Sequence, residues 1–164
     1  MTHDIRGSLK NTKISSNKYV VIEELISNSI DSFLIRRSQD PSDMDLQVAI
    51  SIELLPANLL ADELDVSISC TDNGCGLGDV QTNAFLTKDT SYKDDLSIAG
   101  IGQCKGAGRI QFFHHFGRVG VRSTYRSDGR VFTRTLPALD GRKKIDFLMT
   151  SLCPTATRRR SALR

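Results

Sequence analysis

A chain of 164 residues with 39% apolar side chains is long enough to bury one core, and a single domain accounts for its length. It contains no run of 18 apolar residues to cross a membrane, and its first residues lack the apolar stretch of a signal peptide. Four cysteines without C-x-x-C spacing and three scattered histidines exclude a zinc pattern, so a reduced, cytoplasmic protein is expected. The net charge of +3 is unevenly spread: residues 142–164 carry seven basic side chains against Asp146, which leaves the first 141 residues at −3. Phe147 is the single aromatic residue among those charges, too little to support a nucleic-acid groove, and no membrane partner is expected.

Residues 1–17 are polar and predict a loose end or a short edge strand. Tyr19, Ile22, Ile26, Ile30 and Phe33 recur at helical spacing, which predicts a helix over 18–37. The Pro41 loop follows. Val48, Ile50 and Ile52 then alternate with polar neighbours in a strand over 46–54, and Val66, Ile68 and Cys70 do the same in a strand over 65–71. The glycine-dense turn Asp72-Asn-Gly-Cys-Gly76 comes next, then a short helix over 79–86. Residues 87–108 are polar and glycine-rich without a period, a length at which loops are usually functional. A helix over 109–116 carries Ile110, Phe112, Phe113 and Phe116. Strands are expected over 118–125 and 130–136 around Ser127-Asp-Gly129, with one more over 144–149. Strand pairs separated by helices predict an α+β fold, a two-layer α/β sandwich with a mixed, mostly antiparallel sheet and helices on one face. The expected division is a domain over 1–149 and a basic, disordered tail over 150–164.

Three elements carry chemistry. On the first helix, Glu24, Asn28 and Asp31 stand at i, i+4 and i+7, in one polar stripe. Glutamate can act as a base toward water, asparagine can offer a neutral oxygen to Mg²⁺, and aspartate can bind water or ion. By itself such a stripe equally suits the solvated edge of an amphipathic helix. Asp72 ends an apolar strand, where a carboxylate can accept from an exocyclic amine, and Gly74 and Gly76 let a flat ring approach the backbone. The segment from Gly100 to Arg109, with Gly102, Lys105, Gly106 and Gly108, places glycine-rich backbone before a helix start, an arrangement suited to anions. It matches neither the Walker nor the Rossmann pattern.

In order and spacing the three elements resemble the GHKL ATPases, the superfamily of gyrase, heat-shock-90, histidine-kinase and MutL ATP-binding domains. Glu24-Leu-Ile-Ser-Asn28-Ser-Ile-Asp31 resembles its N box, Asp72-Asn-Gly-Cys-Gly76 its D-x-G-x-G box, and Gly100 to Arg109 its ATP-lid glycine box. The likeness covers residues 18–136. It implies the Bergerat-type fold, truncated at its C-terminal end, and ATP with Mg²⁺ as cofactors. It also implies a metal ligand in Asn28, a catalytic base in Glu24, Asp31 beside them, and an adenine reader in Asp72 with Gly74 and Gly76 making room. Gly102, Gly106 and Gly108 would wrap the triphosphate, with Lys105 as a point charge for its terminal phosphate.

The lid box matches no branch letter for letter, and beyond Leu136 the family's final Thr-bearing strand has no clear counterpart. The implied function is ATP binding and hydrolysis that switches a larger assembly. A downstream domain or partner chain, and dimerisation on lid closure, are the partners this implies. The alternatives are a non-hydrolysing nucleotide sensor and a histidine-kinase ATP-binding domain. The latter usually carries asparagine where Glu24 stands.

Overall fold

The computed structural model describes residues 12–41, 45–56, 64–87, 91–101, 108–140 and 146–151. The elements in chain order are α1 (Val20–Gln39), β1 (Val48–Pro56), β2 (Leu64–Asp72), α2 (Asp79–Leu86) and a 3-10 turn (Asp94–Leu96). Then come α3 (Ile110–His115), β3 (Arg118–Ser127), β4 (Arg130–Asp140) and β5 (Asp146–Ser151). The three predicted helices and the five strands predicted between 46 and 149 are present, so the chain is an α+β fold; residues 1–11, expected to be a loose end or a short edge strand, lie outside the described residues.

Asn17 lies just before α1, where its amide oxygen takes the N–H of Tyr19 at 2.9 Å and its amide nitrogen donates to Glu23 at 2.7 Å. The helix closes with Arg36 and Arg37 in the last turn, where the helix dipole favours cations. Its buried face is Val21, Leu25, Ser29, Asp31, Phe33 and Ile35. Of the apolar series that predicted the helix, Tyr19 is 71% exposed, Ile26 41% and Ile30 37%. The reason is that apolar residues lie on nearly every side of α1, so periodicity locates the helix without choosing its inner face.

The sheet has five strands in the order β1-β2-β5-β3-β4. Strands β1 and β2 pair antiparallel, as do β3 and β4, while β5 runs parallel to both β2 and β3. The sheet is therefore mixed, as expected, but half of its pairings are parallel, because β5 inserts between two strands that run the same way. The β3–β4 turn uses Asp128 and Gly129, both at positive φ (49° and 72°), as a tight two-residue hairpin requires. One extra residue of β4 interrupts the ladder between Val119↔Leu139 and Val121↔Leu136. Pro137, which has no N–H to donate, falls at this irregularity on an edge strand. Strand β5 runs to Ser151, so residues 150 and 151 belong to the sheet rather than to a tail. Residues 152–164 lie outside the described part.

One core cluster joins Val21 and Leu25 of α1, Ile68 and Cys70 of β2, Ile110, Phe112, Phe113 and Phe116 in and just after α3, and Val119 of β3. Phe112 and Phe113 are each 1% exposed, and burying such a ring contributes roughly 1.5–3 kcal/mol. The buried amide of Gln111 takes the N–H of Ser15 at 3.0 Å and donates to the carbonyl of Lys13 at 2.9 Å. This straps the polar 12–17 segment onto α3.

Candidate functional site

Helix α1 is the shared wall of the site. Six of its polar residues meet segments that are far away in sequence. Near its start, the Glu24 carboxylate lies so close to Gly108 that a Cβ built there would overlap it. Burial is the main influence on Glu24 and raises its pKa above the ordinary carboxylate range. The charges of Lys93 and Arg109 pull it back, while Asp31 and Glu23 push it up.

One turn along, Lys93 donates from Nζ to Asn28 Oδ1 at 2.8 Å and to Asp31 Oδ2 at 2.6 Å. The side chain of Asp31 is 5% exposed and that of Lys93 21%, so this is a largely buried ion pair. The polar stripe on α1 is therefore an inner surface at Asp31 and not a solvated edge. Ser29 meets the Cys70 thiol at 3.7 Å. Burial is the main cause pushing that thiol's pKa up, with Asp72 adding to it and the Ser29 contact opposing it. It behaves as a core side chain.

At the next turn Ser32 holds the glycine-dense loop. Its carbonyl and its hydroxyl accept the Cys75 N–H at 3.0 and 3.1 Å. Arg36 donates to the Asn73 carbonyl at 2.6 Å. Asp72 is the last residue of β2, is 7% exposed, and accepts the Gly74 N–H at 2.8 Å. A Cβ at Gly74 would overlap the Ser32 hydroxyl and come within 2.9 Å of Asp72 Oδ1. Gly76 sits at φ +74°, and a side chain there would overlap the Thr124 carbonyl. The Leu77 N–H is taken by the buried Ser123 hydroxyl at 2.7 Å. The loop is thus held from both sides, by α1 and by β3.

The structure sets Glu24 against Gly108, Asn28 and Asp31 on Lys93, and Gly74 against Ser32, all along α1, while Asp72 bonds the Gly74 N–H and Gly76 packs against β3. Gly102, Lys105 and Gly106 lie outside the described residues. Sequence reasoning missed Lys93, whose partners are 62 and 65 residues away and which stands in a polar stretch without periodicity. It also missed Arg134, which bonds Leu77 O, Thr82, Asp79 and Tyr125 and so fixes α2 to the β3–β4 pair. Arg109 donates to the Thr87 carbonyl and lies 5.9 Å above the Phe85 ring, which closes the base of the 87–108 segment.

In register, β5 sets Thr150 opposite Thr71 and Ser151 opposite Asp72. The strand expected over 144–149 therefore lies in the middle of the sheet beside the Asp72 end of β2, a placement that sequence reading did not give.

Among the described residues, no group of three or more His, Cys, Asp or Glu is placed to hold a metal ion, and no helix is long and apolar enough to cross a membrane. No protein-family model, curated protein or solved structure matches the chain.

Proposed function

We propose that this chain is a Mg·ATP-binding domain of the GHKL type, with a Bergerat-type two-layer sandwich, that hydrolyses ATP to switch a larger protein or assembly. The observation that carries this reading is the convergence on α1. A base candidate, a neutral amide oxygen, a buried carboxylate and the hydroxyl that holds the Asp72 loop follow one another along a single helix.

Two features of the site suit the group it would hold. The Lys93 ammonium on Asn28 and Asp31 marks a position that favours positive charge. The absence of a side chain at Gly74 lets the loop after Asp72 close on α1, where a Cβ would overlap the Ser32 hydroxyl and crowd the Asp72 carboxylate. Asn28 would hold the ion, and Asp72 would accept the adenine amine, with Gly74 and Gly76 beneath the ring. Gly108 is assigned to the triphosphate, as are Gly102, Lys105 and Gly106 on the sequence resemblance. When bound, Mg·ATP supplies the anhydride bond and the charge neutralisation of its phosphate oxygens.

The chain's own contribution is positional. Glu24 is the general base, accepting a proton from water at its carboxylate, and its burial moves its basicity toward neutrality. Asp31 fixes the charge beside it. A downstream domain or partner chain, and dimerisation on closure over nucleotide, belong to the same proposal.

Calorimetric titration with β,γ-imido-ATP, with and without Mg²⁺, tests the binding, and phosphate release tests turnover. Glu24→Gln should lower turnover by about 10²-fold or more with affinity nearly intact, whereas Asn28→Ala should weaken binding. Equal loss of binding in both variants would sink this division of roles. Magnesium-dependent binding without phosphate release would reduce the function to nucleotide sensing.

A further inference from the structure

A positive charge already stands where the proposed metal would bind. Lys93 Nζ lies 2.8 Å from Asn28 Oδ1 and 2.6 Å from Asp31 Oδ2. A magnesium ion takes its oxygen ligands at about 2.0–2.1 Å. An ion on the same asparagine oxygen would stand roughly 4–5 Å from the ammonium, where like charges away from bulk water repel strongly.

Lys93 does not stand alone. Its stretch, residues 91–101, makes its own turn, with the Asp94 and Asp95 N–H groups on the Ser91 carbonyl at 2.8 and 3.2 Å and the Leu96 N–H on the Lys93 carbonyl at 3.3 Å. The neighbouring Tyr92 hydroxyl takes a hydrogen bond from Gln81 at 3.0 Å. Gly100, at φ +86°, passes Leu34, whose Cδ1 lies 3.4 Å from a Cβ built on that glycine. The stretch therefore runs along α1 from Asn28 to Leu34, with the Lys93–Asp31 ion pair among its attachments.

We propose that Lys93 is an internal competitor of the metal. In the ligand-free chain its ammonium occupies the Asn28 oxygen and neutralises Asp31, and it must leave before Mg·nucleotide binds. Entry of nucleotide is thereby coupled to release of residues 91–101 from α1. This rests on reading the site as a Mg·nucleotide site. The coupling is a population effect: nucleotide binds only the fraction of molecules in which the ammonium has left, and its apparent affinity falls by that fraction.

The test uses the full chain, the wild type against Lys93→Met and Lys93→Arg. Magnesium and β,γ-imido-ATP are titrated by calorimetry, and amide hydrogen exchange is followed without nucleotide. Lys93→Met should bind Mg·nucleotide roughly tenfold more tightly than the wild type, and Lys93→Arg should stay near the wild type. Without nucleotide, exchange at Asp94, Asp95 and Leu96 should quicken in Lys93→Met alone. Because Lys93→Met removes the ammonium from a buried carboxylate, Lys93→Gln provides the same reading with donors retained should the methionine variant fail to fold.

Equal or weaker nucleotide binding by the uncharged variants would overturn the competitor role while leaving the nucleotide site standing. Unchanged exchange would overturn the attachment. No binding by any variant would remove the nucleotide reading and the competitor role with it.

Discussion

The carboxylate of Glu24 rests directly on the backbone of Gly108, with no room between them for even a methyl group. The two residues are 84 positions apart in sequence. Their contact joins the first turns of α1 to the chain entering α3, on which the aromatic core of Phe112, Phe113 and Phe116 is built. The placement of the base candidate is thus tied to the packing of the core.

Gly108→Ala should therefore separate stability from activity. The atoms that its methyl would meet are the far end of a flexible side chain, and the carboxylate can swing aside. The variant should fold with a Tm within a few degrees of the wild type yet lose turnover as Glu24→Gln does. Gly74→Ala differs, because its methyl would also meet the Ser32 Cβ at 2.5 Å, which cannot move without α1. That variant should lose about 1–3 kcal/mol in chemical unfolding, the usual cost of overpacking. Similar Tm losses in both variants would show that Glu24 is rigidly seated.

Glu24 also sets a pH dependence of stability. Burial raises its folded-state pKa, so folding favours its protonated form. The sign follows from linkage: the favourable contribution is complete below the unfolded-state pKa and is lost as pH rises through the folded one. At neutral pH the ionised carboxylate is therefore a liability. Glu24→Gln should raise Tm at pH 7–8 and show little difference near pH 4. A variant less stable than the wild type at pH 8 would mean that Lys93 and Arg109 outweigh the burial.

Arg134 offers a contrast within one ion pair. Asp79 is 86% exposed on its side chain and Arg134 only 23%. Exposed partners contribute little, so Asp79→Ala should cost below about 1 kcal/mol. Arg134 also bonds the Leu77 carbonyl, Thr82 and the Tyr125 hydroxyl, and its guanidinium lies 4.8 Å over the Tyr125 ring. Arg134→Ala should cost about 2 kcal/mol, measured by urea unfolding, because several acceptors lose their donor together. Equal costs for the two variants would reduce Arg134 to a surface ion pair.

These residues also mark how far the sequence could be read. Strand alternation placed Val66, Ile68 and Cys70 on one face, and the structure has that pattern because one side of β2 meets the core while Ser67, Ser69 and Thr71 stand on the other. Asp72 at a strand end was legible for the same reason. The inner face of α1 was not, because Ile26 and Ile30 satisfy helical spacing as well as Val21 and Leu25 do. Nor could spacing reveal Lys93. A contact across 62 residues depends on how a loop without periodicity is folded, and nothing local encodes that. The strand over 146–151 was visible as an apolar run, but its place beside Asp72 depends on a crossover that alternation does not report.

Asp72 gives the most selective prediction. Its carboxylate already accepts the Gly74 N–H at 2.8 Å, which shapes the loop, and an ionised carboxylate can accept about four hydrogen bonds. In Asp72→Asn the amide oxygen can keep the Gly74 bond, so the loop and the fold should survive, with Tm changed by only a few degrees. What changes is the rest of the group, where an acceptor becomes a donor. Adenine presents an amine at the position where guanine presents a carbonyl oxygen. The wild type should therefore prefer ATP to GTP, and Asp72→Asn should lose that preference or reverse it. A site built to accept from one base and left facing a mismatched group loses affinity by about 10²-fold or more. Parallel titrations of wild type and Asp72→Asn with the β,γ-imido analogues of ATP and GTP read this directly. Equal affinity of the wild type for the two nucleotides would remove Asp72 from base recognition. An Asp72→Asn variant that still prefers ATP would place the adenine elsewhere on the wall formed by α1.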